Sequence, residues 1–162
     1  MNKSGLTLLL TAAIGVAAVA QQPPPTPIRW TAAGVADPVK AGQTLIVQVT
    51  AQIDEGWHLY ALEPVPGGPT PTRIAAAPAP PFTLDEKNID SPEPKRAPDP
   101  NFGTETAYYE DSATFGLPIK VAASAPAGDR EVEISARFQA CTDQICLRPQ
   151  TATMRVKVKV TR

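Results

Sequence analysis

The sequence predicts an all-β protein, an immunoglobulin-like β-sandwich of two antiparallel sheets. Three observations carry this reading. Four segments alternate apolar and polar residues with period two, no window supports a helix of three turns, and proline is dense. The 19 prolines among 162 residues are more than twice the usual share of about 5%. Proline lacks an amide donor and clashes with the preceding helical turn, so this density excludes an all-α protein. The length suits one domain with a real core.

From the N-terminus, Met1 to Ala20 reads as a cleaved secretory signal. Lys3 supplies the positive start, Leu6 to Val19 is almost wholly apolar, and Ala18-Val19-Ala20 is a small-x-small cleavage pattern. The run is shorter than the roughly 20 residues that a membrane-spanning helix needs. No cysteine follows the cleavage point, so a lipid anchor there is not expected, nor is membrane insertion after cleavage. The expected compartment is oxidising, most simply a bacterial periplasm. Gln21 to Pro27 is a proline-rich leader, and the domain is expected over 28–162.

The strongest strand signals are Leu45, Val47, Val49, Ala51 and Ile53; Phe115, Leu117, Ile119 and Val121; Val132, Ile134, Ala136, Phe138 and Ala140; and Met154, Val156, Val158 and Val160. Each places apolar side chains on one face and polar ones on the other. Weaker strands are expected at Ile28 to Ala33, Trp57 to Glu63, Thr72 to Ala76, Phe82 to Asp85 and Thr106 to Glu110. Eight or nine short strands joined by turn-forming residues favour the sandwich. Pro64 to Pro71 and Ser91 to Gly103 read as long loops, and long loops in a compact domain are often functional.

Composition excludes some functions. With 15 basic and 16 acidic side chains the net charge is −1. This offers no electrostatic case for nucleic acid, and no basic cluster suggests an anionic membrane surface. Cys141 and Cys146, the only two cysteines, sit between two strong strands. In an oxidising compartment such a pair is expected to form a disulfide. A bridge closing so short a loop restrains the unfolded chain by only about 2 kcal/mol, less than one between distant strands would. That leans toward a working redox couple, but a structural staple stays open. Arg148 favours a thiolate at Cys146, whereas Asp143 opposes it. Zinc wants four ligands, and the two cysteines with the single His58 make three. Copper(I) held by two thiolates stays open as a minor reading.

His58 lies in Gly56-Trp57-His58-Leu59-Tyr60 and reads as packing, on the strand face opposite Trp57. A hydrolase would need a nucleophile and an orienting acid beside it, and no serine motif accompanies it. Tyr108 and Tyr109 read as packing at a strand end.

Three stretches together resemble a known family. They are Gly56-Trp57-His58-Leu59-Tyr60; Asp99-Pro100-Asn101-Phe102-Gly103 followed by Tyr109 and Leu117-Pro118-Ile119; and Phe138-Gln139-Ala140-Cys141 through Cys146 with Pro149. The chain resembles the N-terminal periplasmic domain of the thiol:disulfide interchange protein DsbD, from about Ile28 to the end. The resemblance implies an immunoglobulin-like sandwich with a redox-active disulfide and no cofactor. Cys141 and Cys146 would exchange electrons with thioredoxin-like redox proteins, and with periplasmic thiol proteins that include disulfide isomerases and cytochrome c maturation factors. Asp99 to Gly103 would be a cap loop shielding the pair, with Phe102 its only aromatic, and Tyr60 and Tyr109 would belong to the surrounding shell. Two departures stand out. Four residues separate the cysteines where the best-known members have five, and Asn101 stands where an aromatic would precede Phe102. The reading expects a stand-alone copy supplied with electrons by a separate protein, a membrane electron transporter being one candidate. The competing reading is a non-enzymatic interaction domain with a structural disulfide.

Overall fold

Alternation with period two governs the fold. A computed structural model describes residues 26–76 and 80–162. The expected signal at 1–20 and residues 21–25 of the leader lie outside the described residues. The strands are β1 (Ile28–Ala32), β2 (Val39–Lys40), β3 (Thr44–Ile53), β4 (His58–Tyr60), β5 (Arg73–Ala76), β6 (Phe82–Leu84), β7 (Lys95–Asp99), β8 (Thr104–Tyr109), β9 (Ser112–Val121), β10 (Gly128–Phe138), β11 (Ala140–Cys141) and β12 (Gln150–Thr161). Among the described residues the only helical element is a single 3-10 turn at Glu86–Asn88. No helix there is long and apolar enough to cross a membrane.

Hydrogen bonding organises the strands into three four-stranded sheets, ordered β1-β3-β9-β6, β2-β12-β10-β5 and β11-β4-β8-β7. All pairs are antiparallel except β2 with β12. The long pairs β3–β9 and β10–β12 turn their apolar faces into one core. Val47, Val49, Phe115, Leu117, Ile119, Ile134, Val156 and Val158 are all essentially buried there. Each such side chain contributes about 1.5–3 kcal/mol by leaving water. Trp30 of β1 lies 6.0 Å from Phe115 and 5.6 Å from Phe138, so it bridges the first two sheets.

The segment Ser91 to Gly103 differs from its expectation as one long loop. Lys95–Asp99 within it forms β7 and pairs with β8. Proline removes a ladder donor, but β7 is the outer strand of its sheet, where such a donor is dispensable. What remains loop is 91–94 and the short connection at 100–103. Gly103 adopts φ +65°, a conformation that favours glycine, and its N–H donates to the Asp99 carbonyl at 2.8 Å.

Candidate functional site

The third sheet builds the site through register. Cys141 pairs with His58 and Ala140 with Leu59, while Leu59 pairs with Tyr109 and Tyr60 with Tyr108. On the far side Ala97 pairs with Thr106 and Asp99 with Thr104. Directly paired residues share a face, and neighbours along a strand alternate. Leu59, Ala140 and Tyr109 therefore face the core. Cys141, His58, Tyr60, Tyr108, Thr106 and Asp99 collect on the opposite face.

Cys141 stands where the chain leaves one sheet for another. β10 ends at Phe138, Gln139 intervenes, and β11 enters the third sheet. The Gln139 side chain fixes this crossing, its Oε1 accepting from Thr70 N at 2.9 Å and its Nε2 donating to the Leu147 carbonyl at 3.2 Å. Cys141 and Cys146 form a disulfide with Cα atoms 4.1 Å apart. The loop between them is closed by main-chain bonds from Leu147 N to Ala140 O at 2.9 Å and from Thr142 N to Ile145 O at 2.8 Å. The Thr142 hydroxyl also accepts from Gln144 N and Ile145 N. Cys141 is wholly buried, whereas Cys146 is half-buried. The two cysteines are therefore unequal in exposure.

A polar chain runs across the face beside Cys141. His58 Nε2 lies 3.1 Å from the Tyr60 hydroxyl, which donates to Asp99 Oδ2 at 2.7 Å. Thr106 donates to the same oxygen at 3.1 Å, and Asn101 N donates to Asp99 Oδ1 at 2.9 Å. Burial opposes ionisation of Asp99, but the Tyr60, Asn101 and Thr106 donors and nearby His58 outweigh it and hold the carboxyl below its usual range. Burial, then the hydrogen bond to Asp99, pushes the Tyr60 hydroxyl far up, so it stays protonated. Burial also lowers His58, partly offset by Asp99, Asp143 and Glu110. At neutral pH the chain is a neutral imidazole, a phenol and a carboxylate.

The turn after β7 closes over this chain. The Phe102 ring meets Tyr60 edge-on at 5.9 Å, and Asn101 Nδ2 donates to the Thr142 carbonyl at 2.8 Å. That second bond ties the turn to the disulfide loop through a polar contact. On the open side lies a cleft of about 270 Å³ lined by Glu55, Trp57, His58, Asp111 and Asp143 among others. Among the described residues no group of three or more His, Cys, Asp or Glu side chains is placed to hold a metal ion.

The structure thus brings together Cys141, Cys146, Tyr60, Asp99, Asn101 and Phe102. Tyr109 stands apart from them: its ring packs on Phe115 at 5.6 Å and its hydroxyl donates to Pro92 O. Strand alternation sends Tyr109 to the core and leaves Tyr108 facing His58, 4.9 Å away. His58, Thr106, Thr142 and Gln139 join the site without having been singled out for it. Period-two alternation around Tyr60 could have placed His58 on its face, whereas Thr106 becomes visible only once β7 and β8 are paired.

These features define an all-β sandwich domain that carries a disulfide at a sheet edge beside the turn that follows β7. A family profile described as thiol:disulfide interchange protein DsbD, N-terminal, matches residues 26–158, and the chain belongs to that family. Among solved structures, the N-terminal periplasmic domain of ScsB from Proteus mirabilis is similar at 16% identity and a TM-score of 0.51. The alignment covers 79% of this chain and 44% of that one, so the chain spans less than half the length of that relative. AggA, the major subunit of aggregative adherence fimbriae type I from Escherichia coli, aligns over 83% of this chain and 95% of its own at 12% identity and a TM-score of 0.38. That value is too low to mark a shared fold. No curated protein sequence matches the chain.

Proposed function

We propose that this chain is a periplasmic thiol–disulfide exchange domain that passes electrons between a thioredoxin-like protein and client thiol proteins through Cys141 and Cys146. The observation that carries the reading is the inequality of the two cysteines, Cys146 half-buried and Cys141 wholly buried, in a loop closed by main-chain hydrogen bonds. Family membership supports the same chemistry.

A donor thiolate attacks Sγ of Cys146, the bond to Cys141 breaks, and the electron pair leaves on Cys141. The donor's second thiolate then attacks its own sulfur in the mixed disulfide and frees Cys146. Two electrons have entered, and both cysteines are reduced. In the second half-reaction the Cys146 thiolate attacks a client disulfide, and Cys141 resolves the mixed disulfide by attacking Cys146. No cofactor takes part. The Asp99 to Gly103 cap limits access, so random thiols exchange slowly.

The test is the reduction potential of the Cys141–Cys146 couple, measured by equilibration in thiol redox buffers and counting of alkylated thiols by mass. A value between about −270 and −120 mV falls among exchange proteins. One below about −300 mV marks a structural bridge and would replace this reading with an interaction domain.

A further inference from the structure

Ile145 is 55% exposed, as is Ile46, and these are the exposed large hydrophobic side chains of the described residues. Ile46 lies on β3, away from the disulfide, whereas Ile145 directly precedes Cys146. Ile145 is held in place: its N–H donates to the Thr142 hydroxyl at 3.1 Å and its carbonyl accepts from Thr142 N at 2.8 Å. A fixed, exposed isoleucine beside an attackable sulfur is a contact waiting to be covered.

Covalent geometry says what covers it. A disulfide holds its two Cα atoms roughly 4.4–6.8 Å apart, and neighbouring Cα atoms along a chain are about 3.8 Å apart. A protein thiol bonded to Cys146 therefore brings its own backbone within about 11 Å of the Ile145 Cα, close enough to cover an exposed side chain there. The cleft beside the loop is lined by carboxylates, whereas Arg148, two positions after Cys146, is a nearby cation. Asp143 lies in the same loop, with Glu55 and Asp111 across the cleft. Asp54 is paired with Arg29, and Glu110 with Lys95. Glu55, Asp111 and Asp143 have no ion-pair partner among the described residues.

We propose that Ile145, together with the carboxylates of Asp143, Glu55 and Asp111 that line the neighbouring cleft, selects the protein partner of the exchange site. The fitting partner is a thioredoxin-like protein whose reactive cysteine opens into a shallow apolar depression rimmed by lysine or arginine. This rests on the exchange reading above. The bond formed joins the partner's sulfur to Cys146 Sγ, the bond broken is Cys141–Cys146, and the electron pair departs on Cys141. Apolar contact over Ile145 slows dissociation of the encounter complex, and the carboxylates speed its formation.

The experiment uses the oxidised full-length protein and three reductants: dithiothreitol, reduced thioredoxin carrying lysines engineered at its active-site rim, and the same thioredoxin with glutamates there. The lysine-rimmed probe should react at least tenfold faster than the glutamate-rimmed one at low salt, with the gap closing near 1 M salt, where screening acts over about 3 Å. In Ile145→Ala the rate constant with the lysine-rimmed probe, divided by that with dithiothreitol, should fall about tenfold. Equal rates for the two probes, or a ratio unchanged in Ile145→Ala, overturn the inference while exchange with dithiothreitol leaves the underlying reading standing. A wild-type protein inert to all three reductants overturns the exchange reading itself.

Discussion

Replacing Phe102 with alanine should open the cap and accelerate reduction of the disulfide. The Phe102 ring stands edge-on to Tyr60 with centroids 5.9 Å apart and an interplanar angle of 87°. Aromatic pairs of this kind contribute about 0.5–1.5 kcal/mol beyond area burial. Full burial of a phenylalanine contributes about 1.5–3 kcal/mol, so a half-buried one contributes about half of that. The substitution therefore costs the closed cap about 2 kcal/mol, which is roughly a 25-fold rise in the open population. Opening matters for the proposed chemistry because Cys141, which that route makes the leaving group, is wholly buried. A thiolate leaves faster when water can reach it. The assay is reduction by dithiothreitol under pseudo-first-order conditions, with alkylation quenches counted by mass and a urea melt to confirm the fold. A Phe102→Leu variant keeps apolar area but loses the aromatic contact, so it should fall between. A rate in Phe102→Ala within twofold of wild type, in a folded protein, would show that the cap does not limit the reaction.

Two further changes probe the polar chain. Asp99 accepts from Tyr60, Thr106 and Asn101, so Asp99→Asn removes a buried charge and turns one acceptor into a donor facing donors. The loss should be about 2–3 kcal/mol of stability at pH 7, read from urea melts, and should shrink as pH falls through the lowered value of Asp99 in the folded protein, below which wild-type Asp99 is itself protonated. His58 lies below its ordinary value of 6.5 because of burial. The unfolded chain therefore binds the extra proton first, and stability falls as pH drops below about 6.5 toward the folded value. His58→Gln should flatten that part of the stability profile, and an unchanged slope between pH 7 and 5 would contradict this account of the imidazole.

The long strands were legible because each buries one face against a common core, which imposes alternation on sequence. Val132, Ile134, Ala136 and Phe138 are buried at every second position of β10. β7 was hidden because its residues, with Lys95, Arg96, Pro98 and Asp99, belong to an exposed edge and carry no apolar alternation. β2 was equally silent, since it is only two residues long and too short to show alternation. The cysteine pair and the Asp99 to Gly103 turn stood out as motifs. The bond between Tyr60 and Asp99 joins residues 39 positions apart, and nothing local in either segment announces it. Thr106 enters only because β7 and β8 share a register.

The disulfide loop holds its shape with main-chain bonds at both ends, independent of the sulfur–sulfur bond. β11 is also held by its pairing with β4, which does not involve the sulfurs. A cross-link five positions apart also restrains the unfolded chain only modestly, by about 2 kcal/mol. A thermodynamic cycle makes these two statements one. The difference in folding stability between the oxidised and reduced forms equals the difference in the couple's free energy between folded and unfolded chain. About 2 kcal/mol on one leg is about 40 mV on the other for two electrons. A bridge spanning distant strands would tie each reduction to a larger loss of stability. On the exchange reading, the sandwich would alternate between oxidation states at a stability difference of only about 2 kcal/mol, with the change confined to one short loop at a sheet edge.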